Sequence, residues 1–306
     1  MRKTFIDYLT EQALKREDIW LLTADLGYSF VEKFADACPD RFINMGVAEQ
    51  NMVGVAAGLA MMGKKVFIYS IVNFITFRCL EQIRQDICYH GLDVTVVGVG
   101  AGFAYGDAGY SHHALEDIAI MRVLPSISIF SPADKGEVED VMQWLCSYKG
   151  PAYLRLGKAS ERLYEKKAIN QLMNPIEVQS GVDLVLLSTG AALSMCLKVA
   201  QQLPEYSVGV WSFPCIYPLN DKFVKSIVNQ ANYVISVEEH GEGGFATLLL
   251  ECFYREKLHV AFDAMYYAKA SIKQAGSTEE LGARSGVSIE KIYHRAIEKL
   301  GLLKNN

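Results

Sequence analysis

Short, almost uninterrupted apolar runs recur along this chain at residues 19–22, 66–69, 94–99, 127–130 and 152–156, with segments of helical length between them. A strand with one face in water alternates apolar and polar residues, so runs without alternation must be covered on both faces. The helical segments show in spacing and stop signals. Phe5, Tyr8, Leu9 and Ala13 share one face, 29–37 ends before Pro39, 49–62 ends at Gly63, and 74–89 ends before Gly91. With a short strand at 42–44 and helices at 116–122 and 135–148, the order predicts a mainly parallel sheet wrapped by helices.

The pattern then breaks and restarts. Residues 160–175 are charged or polar without a clear period and read as a connection. Beyond them, strands at 184–187, 208–211, 233–237 and 259–262 alternate with helices at 191–203, 221–228 and 245–253, and the end, 278–281 and 289–300, is helical. The expected fold class is α/β: two consecutive domains with mainly parallel sheets, at 1–165 and 181–306, joined by a linker at 166–180. A length of 306 residues and 51% hydrophobic content suffice for two ordinary cores.

Charge and hydropathy exclude several functions. A net charge of -5 leaves no basic footprint for nucleic acid. No run of eighteen apolar residues and no apolar signal core occurs, so no membrane segment is expected and a soluble, cytoplasmic protein is. The seven cysteines are odd in number, include no C-x-x-C pair and sit in mostly apolar settings, which predicts reduced core residues.

In open parallel sheets, ligands bind beyond the carboxyl ends of the strands, so the informative loops are 25–29, 46–49, 100–113 and 238–244. Gly98, Gly100 and Gly102 invite a dinucleotide reading, but that fingerprint needs a helix directly after the glycines and another glycine-containing loop follows. His112 and His113 are adjacent, with no other ligand at metal-binding spacing. A histidine in such a loop suits hydrogen bonding or proton transfer with a substrate; two solvated loop histidines are the alternative. Glu49, at the start of a helix, either complements the dipole or does chemistry, and spacing alone leaves both open. EEHGEGG, 238–244, reads as a strand-to-helix turn whose glycines allow close packing.

The segments INMGVAEQNMVGVAAGLA, IYSIVNFITFRCLEQIRQDI, YGDAGYSHHALEDIAIMRVLPSISIFSPADKGEVE and PAYLRLGK follow the order and spacing of the pyrimidine-binding domain of transketolases. VDLVLLSTGAALS, WSFPCIYPLND and VISVEEHGEGG resemble the transketolase C-terminal domain. The resemblance spans nearly the whole chain. It implies that Glu49, the E of G-x-x-E-Q, hydrogen-bonds a ring nitrogen of the aminopyrimidine of thiamine diphosphate and so activates the cofactor for attack on a ketose. An apolar wall around the carboxyl group would favour its protonated form and let it share a proton with the ring. The resemblance further implies that His112 contacts substrate and intermediate, that Asp25 and Leu26 lie near the cofactor, and that Ser29 helps bind substrate phosphate. Lys158 stands where many relatives carry a phosphate-binding arginine, and lacks its bidentate fork.

Departures from the family pattern accompany the matches. The aspartate expected four residues before the histidine is Ala108, with Asp107 beside it, and Gly100 replaces a phosphate-contacting histidine. Val72 and Ile75 align with the phenylalanines that stack on the pyrimidine; Phe74 or Phe77 substitutes after a small shift, or aliphatic contact suffices. These changes predict retained cofactor chemistry with an altered sugar donor or acceptor. The G-D-G motif with a following Asn, which holds the diphosphate through Mg2+, is not found in the sequence. The expectation is therefore a split transketolase, with an N-terminal subunit carrying the diphosphate and magnesium and this subunit pairing with its like in an α2β2 assembly. A beta subunit of a 2-oxo acid dehydrogenase, a deoxyxylulose phosphate synthase-like enzyme and a non-catalytic interaction subunit are the alternative readings.

Overall fold

A computed structural model of the chain describes residues 1–158, 161–165, 173–268 and 273–304. The first half supplies β1 (Ile19–Thr23), β2 (Phe42–Asn44), β3 (Lys65–Ile71), β4 (Val94–Val99), β5 (Ser128–Phe130) and β6 (Ala152–Leu156). The second supplies β7 (Ile176–Gln179), β8 (Leu184–Ser188), β9 (Val208–Ser212), β10 (Cys215–Tyr217), β11 (Val234–Val237) and β12 (Phe262–Met265). They form a seven-stranded sheet in the order β10-β5-β6-β4-β3-β1-β2 and a five-stranded sheet in the order β12-β11-β8-β9-β7. Pairing is parallel throughout except for β10 on β5 and β7 on β9. Two mostly parallel α/β sheets are therefore present, as the unalternating runs require. Every residue of β4, β6 and β8 is buried, because helices cover both faces of each sheet.

Four differences from the sequence reading have physical causes. The helix expected at 29–37 begins at Glu32, because Ser29 sits at φ 68, outside the right-handed region. The single helix expected at 74–89 is broken into Val72–Thr76, Leu80–Gln82 and a wide π-type turn, Ile83–Cys88. Thr76 Oγ1 donates to the Val72 carbonyl at 2.7 Å, a back-bond that bends helices. The strand expected at 259–262 lies at Phe262–Met265, where it registers with β11. Part of the linker expected at 166–180 is strand β7; residues 166–172 lie outside the described residues.

β10 went unrecognised because three residues carry no period. It crosses from the second half to the edge of the first sheet, pairing Cys215 with Phe130. A buried polar seam also joins the halves. Arg155 Nε donates to Asp117 Oδ2 at 2.8 Å, and its Nη2 donates to the carbonyls of Ala114 at 2.9 Å and Glu239 at 2.8 Å. The turn at 238–244 lies on this seam: the Glu238 carboxylate accepts from the amides of Phe245 and Ala246, the first residues of helix Phe245–Arg255. A Cβ at Gly244 would stand 2.2 Å from Glu238 Oε2, so close packing does require glycine there. All seven cysteines are free and buried, and among the described residues no helix is long and apolar enough to cross a membrane.

Candidate active site

The loops that follow β1, β2, β3 and β4, four neighbouring strands, open on the same sheet end. Gly46, at φ 69, turns the chain after β2 so that helix Glu49–Met61 starts with Glu49 pointing into the wall. Asn44 locks this turn to the preceding one: its Oδ1 accepts from the amides of Asp25 and Gly46, both at 3.0 Å, and its Nδ2 donates to Asp25 Oδ1 at 3.2 Å. Asp25 is itself left-handed at φ 52 and accepts the Tyr28 hydroxyl at 2.9 Å. Leu26 is half-buried against the core, and Ser29 is exposed with its amide donating to Glu32.

Glu49 is 4% exposed, yet its wall is not wholly apolar. Arg78 Nη1 lies 3.3 Å from both carboxylate oxygens, and the Arg78 guanidinium carbon sits 4.0 Å from the centroid of the Phe74 ring. The Phe74 ring in turn meets the His112 ring edge-on, with centroids 5.1 Å apart. Carboxylate, guanidinium, phenyl and imidazole thus form one continuous row. Arg78 is about half exposed, so the pair is screened and open to exchange with a ligand. Desolvation first, and then the charges of His113 and Arg78, lower the pKa of His112 and favour its neutral form. Its Nδ1 lies 2.9 Å from Ser111 Oγ, while Nε2 has no hydrogen-bond partner among the described residues.

The loop carrying His112 is held from both sides. Asn73 Nδ2 donates to the carbonyls of Ser111 at 3.0 Å and His113 at 2.9 Å. The His113 ring is buried, with Nε2 3.2 Å from the Gly106 carbonyl, so this histidine shapes the loop and does not reach solvent. Gly102 and Ala114 exchange backbone hydrogen bonds at its base.

The remaining candidates separate. Phe74 is half-buried and part of the row; Phe77 is 45% exposed and points away from the core. Val72 and Ile75 are fully buried, Ile75 within the core, so neither offers surface to a ring. Asp107 is exposed on the short turn Gly106–Ala108 beside Ala108. Lys158 is exposed and lines a cleft of about 630 Å³ between the halves, together with Ala101, Lys198, Glu239 and Tyr267. Sequence reasoning missed Arg78, Asn44 and Asn73. Arg78 lies four residues after Phe74, the spacing at which side chains meet on a helix, and that signal was available. The two asparagines act through backbone groups distant in sequence, which no local pattern reveals.

Comparison with known proteins agrees with this layout. Residues 1–162 match the transketolase pyrimidine-binding domain and residues 175–292 the transketolase C-terminal domain. The chain is 30% identical to an apulose-4-phosphate transketolase subunit of Phocaeicola vulgatus, over 97% of this chain and 96% of that one. It is 32% identical to a 6-deoxy-6-sulfo-D-fructose transketolase subunit from a Clostridium species, over 97% and 94%. A solved split-gene transketolase, in the form of an inactive beta4 tetramer, superposes with a TM-score of 0.88 at 28% identity, covering 98% of both chains. The chain belongs to the transketolase family, of which it carries the pyrimidine-binding and C-terminal domains.

Proposed function

We propose that this chain is the pyrimidine-binding subunit of a split, thiamine diphosphate-dependent transketolase that moves a two-carbon ketol unit between sugars. The observation that carries the reading is Glu49: a buried carboxylate at a helix start, met by a half-exposed arginine and continued by Phe74 and His112. Such a carboxylate fits the pyrimidine half of the cofactor. Glu49 would hold the proton shared with the ring, Phe74 would offer an aromatic face, and Arg78 would have to yield its place on the carboxylate. Asp25 and Leu26 border the same opening. Bound there, thiamine diphosphate would supply the nucleophile and the electron sink that ketol transfer needs. His112, neutral and with Nε2 unengaged, is suited to exchange a proton with a substrate hydroxyl.

A separate subunit would carry the diphosphate and Mg2+, and an α2β2 assembly is the simplest closed arrangement. The full-length match to proteins described as transketolase subunits supports this division. Those relatives are named for sugars with a phosphate or a sulfonate, which supports a substrate outside the ordinary pentose phosphates, as do Ala108, Gly100 and Lys158. Ser29, Asp107 and Lys158 are the residues we assign to substrate.

The test combines the chain with a candidate partner that carries the G-D-G…N motif, thiamine diphosphate and Mg2+, and measures ketol transfer against lipoamide acylation. Ketol transfer is expected, and Glu49→Gln should lower it roughly 100- to 10,000-fold with the fold intact. Lipoamide acylation in its place, or unchanged transfer by Glu49→Gln, would overturn the reading.

A further inference from the structure

The cleft between the halves opens where the chain leaves the second sheet. Ala191 follows β8, Glu239 follows β11 and Tyr267 follows β12, while Ala101 and Ala104 face them from the loop after β4. Open parallel sheets take ligands at such strand ends, and about 630 Å³ is the size of a small-molecule site. Much of the wall is hydrocarbon: Ala101, Ala104 and Val287 are buried, and Met195 and Ile289 half-buried.

Two buried polar groups interrupt this wall. Glu239 is 9% exposed, and its carboxylate forms no ion pair among the described residues. Arg155 is engaged elsewhere, since its guanidinium donates to Asp117 and to the carbonyls of Ala114 and of Glu239 itself. Burial therefore raises the pKa of Glu239, ahead of the lowering effects of Arg155 and the Ala191 amide. Tyr267 is 2% exposed, with its ring 4.5 Å from that of Phe103 between centroids, and its hydroxyl has no hydrogen-bond partner among the described residues. A buried carboxylate without a counter-charge and a buried hydroxyl without a partner are both costly, and both line one cavity.

A single ammonium would answer both, as counter-charge to the carboxylate and as N–H donor to the tyrosine oxygen. Exposed Glu279, whose charge raises the pKa of Glu239 and of Tyr267, strengthens the negative potential on this side. Among the described residues no group of three or more carboxylate, imidazole or thiol side chains could hold a metal ion, and the hydrocarbon walls suit an organic cation.

We propose that the cleft binds a small organic cation, an ammonium carried on an apolar body, with the ammonium on Glu239 and Tyr267 and the body against Met195, Val287 and Ile289. The site is independent of the transketolase reading. Its occupant would touch the loop that carries His112 from behind, because Ala101 and Ala104 are part of that loop. The same border holds the loop through Thr278 Oγ1, which donates to the Phe103 carbonyl at 2.9 Å, and through the Gly276 amide, which donates to the Gly106 carbonyl at 3.2 Å.

The test is calorimetric titration of the full chain with three probes of similar shape: phenethylamine, L-phenylalanine and 3-phenylpropionate. The two ammonium-bearing probes should bind and the acid should not. Tighter binding of L-phenylalanine than of phenethylamine, lost in Lys198→Gln at the rim, identifies the natural occupant as an amino acid, and the reverse order identifies an amine; either supports the ammonium site. Glu239→Gln should weaken phenethylamine roughly 10- to 100-fold, and Ala283→Phe, which fills the cleft from helix Thr278–Ser285, should abolish its binding. Hydrogen exchange at 101–106 and 278–283 should slow with phenethylamine in the wild type and not in Glu239→Gln. Binding of 3-phenylpropionate alone, no binding of any probe up to about 10 mM, or affinity for phenethylamine within about twofold of wild type in Glu239→Gln overturns the proposal. None of these readouts requires ketol transfer, so failure of the transketolase assay and failure of the cation site are separate results.

Discussion

Replacing Arg155 by Met should show how far the seam between the two halves supports the site. Arg155 and Asp117 are 2% and 0% exposed, and the guanidinium reaches Asp117 and the carbonyls of Ala114 and Glu239, one element from each side of the seam. Removing the cation leaves a buried carboxylate with the Tyr153 hydroxyl 2.7 Å away and the His240 ring nitrogen at 3.7 Å, and it takes the side-chain donor from the Glu239 carbonyl, while the Ala114 carbonyl keeps the Gly102 amide. Breaking such a pair costs about 3–5 kcal/mol. For a chain of 306 residues the unfolding entropy is about 640 cal/mol/K, so Tm should fall by about 5–8 °C in calorimetry. The effect should reach function as well, because Ala114 closes the loop that presents His112. In the reconstituted complex, kcat should fall with the loosened loop. The double variant Asp117→Asn/Arg155→Met removes both charges and should be more stable than Arg155→Met alone. A Tm within about 1 °C of wild type for Arg155→Met, or a double variant whose loss equals the sum of the single losses, would refute the argument from an uncompensated buried charge.

Two further outcomes test other parts of the structure. His240 is fully buried, its Nε2 accepts the Ile118 amide at 3.0 Å, and burial pushes its pKa down to about 4. The unfolded chain therefore takes up this proton first, and about 3 kcal/mol of stability present above about pH 6.5 should be lost as pH falls towards 4. His240→Gln should remove that loss. The difference between the two proteins in denaturant titrations isolates it, since Glu137 and Glu238, pushed up to about 7 by burial, contribute with the opposite sign. At Gly100, with φ +97 and the Tyr105 ring 2.3 Å from where a methyl group would sit, Gly100→Ala adds about 1–3 kcal/mol of backbone strain plus a clash. Tyr105→Ala in the same chain relieves the clash alone, so the Tm of the double variant should recover part of the fall relative to Tyr105→Ala, and full recovery would contradict the assigned backbone strain.

Local sequence was enough to dictate the layers. Runs such as 94–99 and 152–156 have no polar face to turn to water, so they had to become strands covered on both sides, and burial of β4 and β6 is the consequence. Glu49 and His112 stood out as candidates because each sits in a short local pattern, a carboxylate after a glycine turn and a histidine in a glycine-rich loop, but that pattern left their roles open and only the family resemblance gave them one. The interruption of helix 74–89 was not legible, since the side-chain bonds of Asn73 and Thr76 compete with a pattern that on its own continues as a helix. What surrounds these groups came from the packing of the whole chain. It placed Arg78 on Glu49, buried Val72 and Ile75, and moved β10 across to the first sheet. It also set Arg2 against Tyr105, residues 103 positions apart. Contacts across such separations depend on which strands lie side by side, and local periodicity encodes the existence of the strands without encoding their neighbours.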